Sequence, residues 1–352
     1  MTTRYNPRMQ KNTKRDSQRL LKHTMRCDVA LLVDIETGTR GASGKFVVDR
    51  GGMEALLYRC LRTLYKTVVI VPFDPSVTPT IAELRALNPR VVFNVTEWVD
   101  GDRRLDYAIT GMLELLGLPY TGSGAEALQL CRDKSLSKQI VSKRGVTVAQ
   151  EMVIRPGERV HAPEFGFPLL VKPLYGDGSD SIGKNSLVRN LAALRERVRS
   201  IHHKQKQPVL CESFIPGDDI YVAILGDEPR VMRPIQLVIG RKHANAPLFS
   251  THNVKNTAAY RMRWRVHWIE PTLPVPLLRQ IQRDSCAAFH ALKLSGYARL
   301  DYRLTPDNKL VFLEANANPD LDPHSFGNNR CFAGVRYRDA IKIIVESARR
   351  KN

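Results

Sequence analysis

Residues 298–318, ARLDYRLTPDNKLVFLEANAN, constrain the fold more than any other stretch. Two apolar runs flank TPDN, whose Pro, Asp and Asn are turn formers, so the segment reads as a β-hairpin. A symmetric reversal about Asp307 and Asn308 sets Asp301 opposite Glu314 and Arg299 opposite Asn316. Strand alternation then puts Leu300, Tyr302, Leu304, Val311, Leu313 and Ala315 on a core face. Arg299, Asp301, Arg303, Phe312, Glu314 and Asn316 fall on the other face. Two acids opposed on a sheet repel unless a cation or proton lies between them. Two carboxylates and an amide oxygen suit Mg²⁺, which completes its shell with water and phosphate oxygens. The hairpin is therefore expected to carry a Mg²⁺-nucleotide site; a solvated hairpin whose acids pair with Arg299 and Arg303 is the competing reading.

Other polar residues strengthen the first reading. Lys172 interrupts the apolar run LLVKPL, where an uncompensated ammonium is costly and a phosphate is one natural partner. The loop that follows, GDGSDSIG (176–183), is able to turn several backbone N–H groups toward an anion. Glu212 ends another apolar run, VLCESFI.

Around these residues the pattern is α/β with α+β subdomains. VALLVD (29–34) and VVIVPF (68–73) read as buried strands joined by the helical GGMEALLYRCLRTLY, a βαβ unit, and RVVFNV (90–95) adds a third strand. A helix in LDYAITGMLELLGLPYTGSG stops at Gly117 before Pro119. Ser123 and Glu126 have capping-box spacing, so a new helix is expected to start at Gly124. Beyond a helix ending at Gly145, the strands FPLLVKPL, PVLCESFI and DIYVAILG alternate with the glycine loop and a polar helix near 190–203. RVMRPIQLVIG continues an antiparallel sheet, and helices at 277–293 and 334–349 flank the hairpin.

A chain of 352 residues is expected to fold as two or three packed units. No apolar run approaches the roughly 20 residues needed to span a bilayer. Six scattered cysteines without a CxxC pair fit a reduced, cytoplasmic protein. Of the net charge of +19, residues 1–26 hold eight Lys/Arg and one Asp, hence +7. That segment reads as a solvated, disordered arm, with contact to nucleic acid or another polyanion, or a targeting role, as alternatives.

Taken in order, GMLELLGLPYTGSG, DKSLSK, FPLLVKP, VLCESFIPGDDIYVAILG, GYARLDYR and FLEANANP resemble the landmarks of the ATP-grasp fold, specifically the D-alanine–D-alanine ligase family, over about residues 27–350. The resemblance implies a basic arm (1–26), a Rossmann-like N-terminal domain (27–130), a central lid subdomain (131–220) and a C-terminal catalytic subdomain (221–352). It implies ATP and Mg²⁺ as cofactors, with Mn²⁺ as an alternative metal. Carried over by position, Lys134, Lys172, Ser179 and Lys255 contact the ATP phosphates. Glu212 with the backbone of Ser213 and Ile215 holds the adenine edge, and Asp219 holds the ribose. Asp301, Glu314 and Asn316 fall on the metal ligands, and Arg299 on the arginine that stabilises the tetrahedral intermediate.

The implied reaction joins a small amino-acid-like carboxylate to an amine through an acyl phosphate, with release of ADP. Family members are commonly dimers, so a homodimer is compatible. The sequence departs from the family pattern at VDIETGTRGASGK, at TEWVDGDRR, in the lengthened serine loop and at Asp219, where the usual residue is glutamate. Asp320 replaces a glycine beside the acyl centre, and Ser325 keeps the position that meets the second substrate's carboxylate. A carboxylate at 320 favours a cationic or amine-bearing partner, so substrates other than D-alanine are expected. A nucleotide-dependent binding or regulatory protein that uses residues 1–26 on a polyanion is the alternative from another class.

Overall fold

The computed structural model describes residues 26–42, 44–176, 182–240, 243, 246–321 and 334–350. The basic arm up to residue 25, Ser179 and Ser325 lie outside the described residues. The chain divides into two compact units, the first ending at Thr96 and the second beginning at Glu97.

The first unit contains β1 (Val29–Asp34), β2 (Gly38–Arg40), β3 (Phe46–Val48), α1 (Met53–Leu64), β4 (Val68–Phe73), α2 (Thr78–Leu87) and β5 (Val91–Asn94). The parallel order is β4-β1-β5, so β1 is central. Its continuous apolar run follows from that place, because a central parallel strand has no solvated face to mark with polar residues. The expected βαβ unit is present, with the antiparallel pair β2–β3 inserted before its helix.

The second unit opens with α3 (Asp106–Leu115), α4 (Ala125–Arg132) and α5 (Lys134–Ser142). A division at residue 130 falls inside α4; here Ala127, Leu128 and Cys131 of that helix pack together into the core that holds the hairpin of residues 297–316. After α3 the chain turns at Gly117 (φ +63°), as Gly and the following Pro dictate. Helix α4 does not use Ser123 as its cap. Its N-cap is Gly124, and Ser123 instead donates its N–H to Asn318 Oδ1 at 2.7 Å and its hydroxyl to the Ala317 carbonyl at 3.2 Å.

Next come β6 (Glu151–Ile154), β7 (Leu169–Pro173), β8 (Leu187–Val188), α6 (Leu191–Gln205) and β9 (Val209–Ser213), which build an antiparallel sheet in the order β6-β9-β7-β8. One face packs Ile154, Leu169, Val171, Val209 and Cys211 against Leu194, Val198 and Ile201 of α6.

The remaining elements are β10 (Asp218–Leu225), β11 (Arg230–Val231), β12 (Ile235–Val238), α7 (His252–Asn256), α8 (Ala258–Arg263), β13 (His267–Ile269), α9 (Val275–Ala291), β14 (Tyr297–Leu304), β15 (Leu310–Asn316) and α10 (Tyr337–Arg350). Their sheet runs β13-β12-β10-β14-β15, with β11 pairing β10. Ile220, Val222 and Ile224 of β10 and Leu300 and Tyr302 of β14 meet Leu277, Ile281 and Phe289 of α9 in one core.

The hairpin departs from a symmetric reversal. Near the turn Leu304 faces Leu310, Arg303 faces Val311 and Tyr302 faces Phe312; the register then shifts, so that Asp301 faces Glu314 and Arg299 faces Asn316. Leu313 is the extra residue of this β-bulge. Phe312 consequently faces the core, edge-on to Tyr302 with ring centroids 5.8 Å apart, and Val311 sits opposite Arg303. Both placements reverse those expected from simple alternation, while the pairs at the polar end are as expected. Among the described residues, no helix is long and apolar enough to cross a membrane.

Candidate active site

The polar face of the β6-β9-β7-β8 sheet carries the first half of the site. Glu212 is opposed to Leu170 on β7 and to Glu151 on β6, while the alternate residues Val171 and Cys211 face α6. Lys172 and Glu212 therefore point away from that core, and their charges meet, Nζ to Oε2, at 2.7 Å. Helix α5 faces them. Its N-cap, Asp133, accepts from the N–H groups of Ser135 (3.1 Å) and Leu136 (2.9 Å), which fixes where the helix begins. Lys134 and Lys138 then follow one turn apart on the same side. Lys138 is 1% exposed and pairs with both Glu212 and Glu151, the latter at 3.0 Å, and Ser135 Oγ donates to the other Glu151 oxygen at 2.5 Å.

These contacts set the charges. Burial pushes the Glu212 carboxyl up, but the Lys138 and Lys172 ammoniums outweigh it and bring it down to about 2. Burial pushes Lys172 down, and the carboxylates of Glu212 and Glu314 outweigh that, so it stays raised and cationic. Lys138, Ser135 and Glu151 were absent from the sequence-based site. The spacing of the two lysines in DKSLSK was the available signal; nothing local marks Glu151 as their partner.

The hairpin carries the second half. Arg299 grips Asp301 with two nitrogens, Nε at 2.7 Å and Nη2 at 3.0 Å, and its guanidinium lies 5.3 Å from the Tyr221 ring centre. Glu314 lies 3.9 Å from Lys134, which also donates to the Gly176 carbonyl at the edge of the glycine loop. Burial pushes the Asp301 carboxyl up; Arg299 and Lys255 pull it down and Glu314 pushes it up, with the rise prevailing. Because Glu314 acts on both Lys172 and Asp301, the two halves form one electrostatic cluster. Gly122 fixes the loop before α4 against this strand end: it has φ +84°, and a Cβ there would stand 2.2 Å from Asn318 Oδ1.

The other expected residues are placed as follows. Lys255 is in α7, whose N-cap Thr251 accepts from Val254 N–H, and its charge reaches Asp301. The Ser213 N–H is spent on the Gln150 carbonyl (2.9 Å) and that of Phe214 on Pro168 (3.0 Å). Ile215 has no such main-chain bond among the described residues, which leaves its N–H for a ligand edge. Asp219 does not stand free for a ribose: it is buried, with one oxygen 3.0 Å from Arg303 and the other accepting the Ser250 N–H at 3.1 Å. Asp320 is exposed, and its charge, after burial and Glu97, helps raise the Tyr297 hydroxyl.

The donor set fits a hard cation shared with phosphate. Two opposed carboxylates, one of them buried and raised, lie beside Asn316, whose side-chain oxygen suits a cation while its amide nitrogen, buried without a hydrogen-bond partner, suits an acceptor such as a phosphate oxygen. No group of three or more His, Cys, Asp or Glu suited to a metal exists among the described residues. A cation here would thus depend on non-protein oxygens for much of its shell, as Mg²⁺ does when it arrives with nucleotide. Lys134, Lys172 and Lys255 bring three positive charges to the same cluster.

Residues 140–346 match the family described as D-ala D-ala ligase C-terminus. A D-alanine–D-alanine ligase of Geobacter sulfurreducens is 32% identical over 268 residues, covering 73% of this chain and 80% of that protein. An uncharacterised protein of Sinorhizobium fredii, y4sG, is 33% identical over 74% of this chain and 75% of its own. Among solved structures, D-alanine–D-alanine ligase from Bacillus anthracis complexed with ATP matches with a TM-score of 0.66 at 21% identity, covering 92% of this chain and 97% of that one. VanG D-Ala:D-Ser ligase from Enterococcus faecalis gives 0.63 at 16% identity, covering 92% and 100%. At these identities the structural matches establish the fold.

Proposed function

The chain belongs to the D-alanine–D-alanine ligase family, and from that premise we propose that it joins an amino-acid-like carboxylate to the neutral amine of a partner that carries a further cationic group, received near Asp320. It is an ATP-dependent, ADP-forming ligase with the ATP-grasp fold.

In this reading a substrate carboxylate oxygen attacks the γ-phosphorus of ATP, the bond to the β-phosphate oxygen breaks, and ADP leaves. The amine nitrogen then attacks the acyl carbon, loses a proton, and phosphate departs. Lys134, Lys172 and Lys255 hold the phosphates, aided by Ser179 in the glycine loop, and Glu212 keeps Lys172 charged and aimed. Glu212, the Ser213 carbonyl and the Ile215 main chain receive the adenine edge, and Asp219 takes the ribose by exchanging one of its present partners. Asp301, Glu314 and Asn316 would hold Mg²⁺ (or Mn²⁺), which supplies charge compensation on the transferring phosphoryl group. Arg299 stabilises the oxyanion of the second step, and its grip on Asp301 fixes its direction beforehand. Ser325 receives the second substrate's carboxylate.

The Asp301–Glu314 register carries this reading, because it sets two acids against each other beside Arg299 and Lys134, where a divalent cation would offset the repulsion that remains. The test is turnover with Mg-ATP and hydroxylamine against pools of D- and L-amino acids. ADP together with acyl hydroxamate from one pool supports it; absence of hydroxamate with every pool, while ATP still binds, overturns it.

A further inference from the structure

A basic cavity lies on the opposite side of the β6-β9-β7-β8 sheet from Lys172 and Glu212. It has a volume of about 540 Å³ and is lined by Arg159, Arg195, Arg199, His202 and His203 over a floor of Val160 and Val198. The helix α6 separates it from the site above: Val198 turns inward to the core shared with Val171 and Cys211, whereas Lys172 and Glu212 leave the sheet by the other face.

Its charge is not explained by the fold. Arg195, Arg199 and His202 or His203 recur at helical spacing on one flank of α6, and like charges one turn apart destabilise a helix slightly. The C-terminal end of a helix favours cations, which accounts for His202, His203 and Lys204 in the last turn. It does not account for Arg195, in the second turn, or Arg199, in the third. Among the described residues, Arg159, Arg195 and Arg199 make no ion pair, as is true of other surface arginines such as Arg59 and Arg144; what sets the three apart is that they line one pocket. The nearest acid in sequence to Arg159 is Glu158, which is already engaged by the side chain and N–H of Arg155. Glu196, the one acid of α6, is exposed and does not line the cavity. His202 is fixed by its bond to the Ile154 carbonyl at 3.2 Å; a carbonyl only accepts, so Nε2 carries the hydrogen and is spent there, and the arginines remain the donors of the site.

Three unpaired guanidiniums, whose planar forks match phosphoryl oxygens, meet two imidazoles above an apolar floor. The pocket is more open than enclosed, so a ligand here is held through its charge and not by being buried. We propose that this cavity binds a small phosphorylated molecule carrying two or more negative charges, at a site separate from the nucleotide.

Inorganic tripolyphosphate is the probe, titrated calorimetrically at about 150 mM salt into the full chain and into the double variant Arg195→Gln, Arg199→Gln, each with its nucleotide site filled by a saturating non-hydrolysable ATP analogue. Glutamine keeps the helix, and both positions are exposed, so the fold and ATP turnover are expected to be unchanged. The proposal expects saturable binding that weakens at least tenfold in the double variant. Equal affinity in the two proteins, or no saturable binding to the full chain, overturns it. A single-stranded oligonucleotide is titrated in parallel. If the substitutions abolish its binding while leaving tripolyphosphate unaffected, the surface tracks a nucleic-acid backbone and the small-molecule assignment is wrong.

Discussion

Glu212 holds Lys172 across neighbouring strands, carboxylate to ammonium at 2.7 Å, with both residues buried. Because Lys138 leans on the same carboxylate, removing its charge would leave two buried ammoniums under-compensated. Glu212→Gln is therefore expected to destabilise the protein by about 3–5 kcal/mol. It should also raise the KM for ATP through the loss of a fixed Lys172. Chemical denaturation and steady-state kinetics measure the two effects, and stability within about 0.5 kcal/mol of the wild type would show that the pair contributes little.

The same residue gives a pH dependence with a definite sign. Its carboxyl is depressed from the ordinary 4.5 to about 2, so the folded state binds its proton less readily than the unfolded chain. The stabilisation is complete above about 4.5 and is lost as pH falls toward about 2. Acid unfolding of the wild type should fall more steeply across that window than that of Glu212→Gln, and parallel curves would contradict the assignment.

Glu314 separates function from stability. Its charge raises the Asp301 carboxyl but also supports Lys172 and Lys134, so in Glu314→Gln the repulsion relieved and the attraction lost oppose each other and stability should change little. Turnover should fall on the order of 100-fold or more, as expected when a charged group of a phosphoryl-transfer site is lost. Melting temperature and ADP release, read on the same preparation, check both halves of the expectation.

Gly122 tests the knot that joins the loop before α4 to the end of β15. A methyl group there meets both a left-handed backbone and the Asn318 side chain at 2.2 Å. Gly122→Ala is expected to cost about 2–3 kcal/mol and to lower activity by displacing Asn318. An unperturbed melting temperature would mean that the loop yields freely.

Asp320 is exposed, so Asp320→Asn should not change the fold. If its charge selects the amine substrate, kcat/KM for cationic acceptors should fall relative to neutral ones. An unchanged ratio across a panel of acceptors would remove Asp320 from substrate choice.

The strand end that carries Asp301, Glu314, Arg299 and Asn316 was legible because alternation and turn chemistry are local. The bulge at Leu313 was not, since nothing in KLVFLEAN marks an extra residue; two errors, a turn one residue off and an unseen bulge, cancel at the polar end. Phe312 shows the cost, for between the turn and the bulge its face was inverted. Lys172 read as a buried charge in search of an anion, and the structure supplies Glu212 where a phosphate was expected. That partner, like Glu151 for Lys138, arises from strand pairing and helix docking, which local patterns do not encode. Ser123 had the spacing of a helix cap, yet a tertiary bond to Asn318 took its N–H instead.

The central claim is that this chain activates a carboxylate by phosphorylating it. The most direct measurement uses D-alanine, the substrate in the name of the Geobacter sulfurreducens relative, and then each amino acid that gives a hydroxamate, labelled with ¹⁸O in its carboxylate. The released phosphate is analysed by mass spectrometry after turnover with Mg-ATP. The account predicts one ¹⁸O atom transferred into phosphate for each ADP formed. Turnover that yields unlabelled phosphate would contradict it, because the oxygen bonded to phosphorus would then have come from water and not from the substrate.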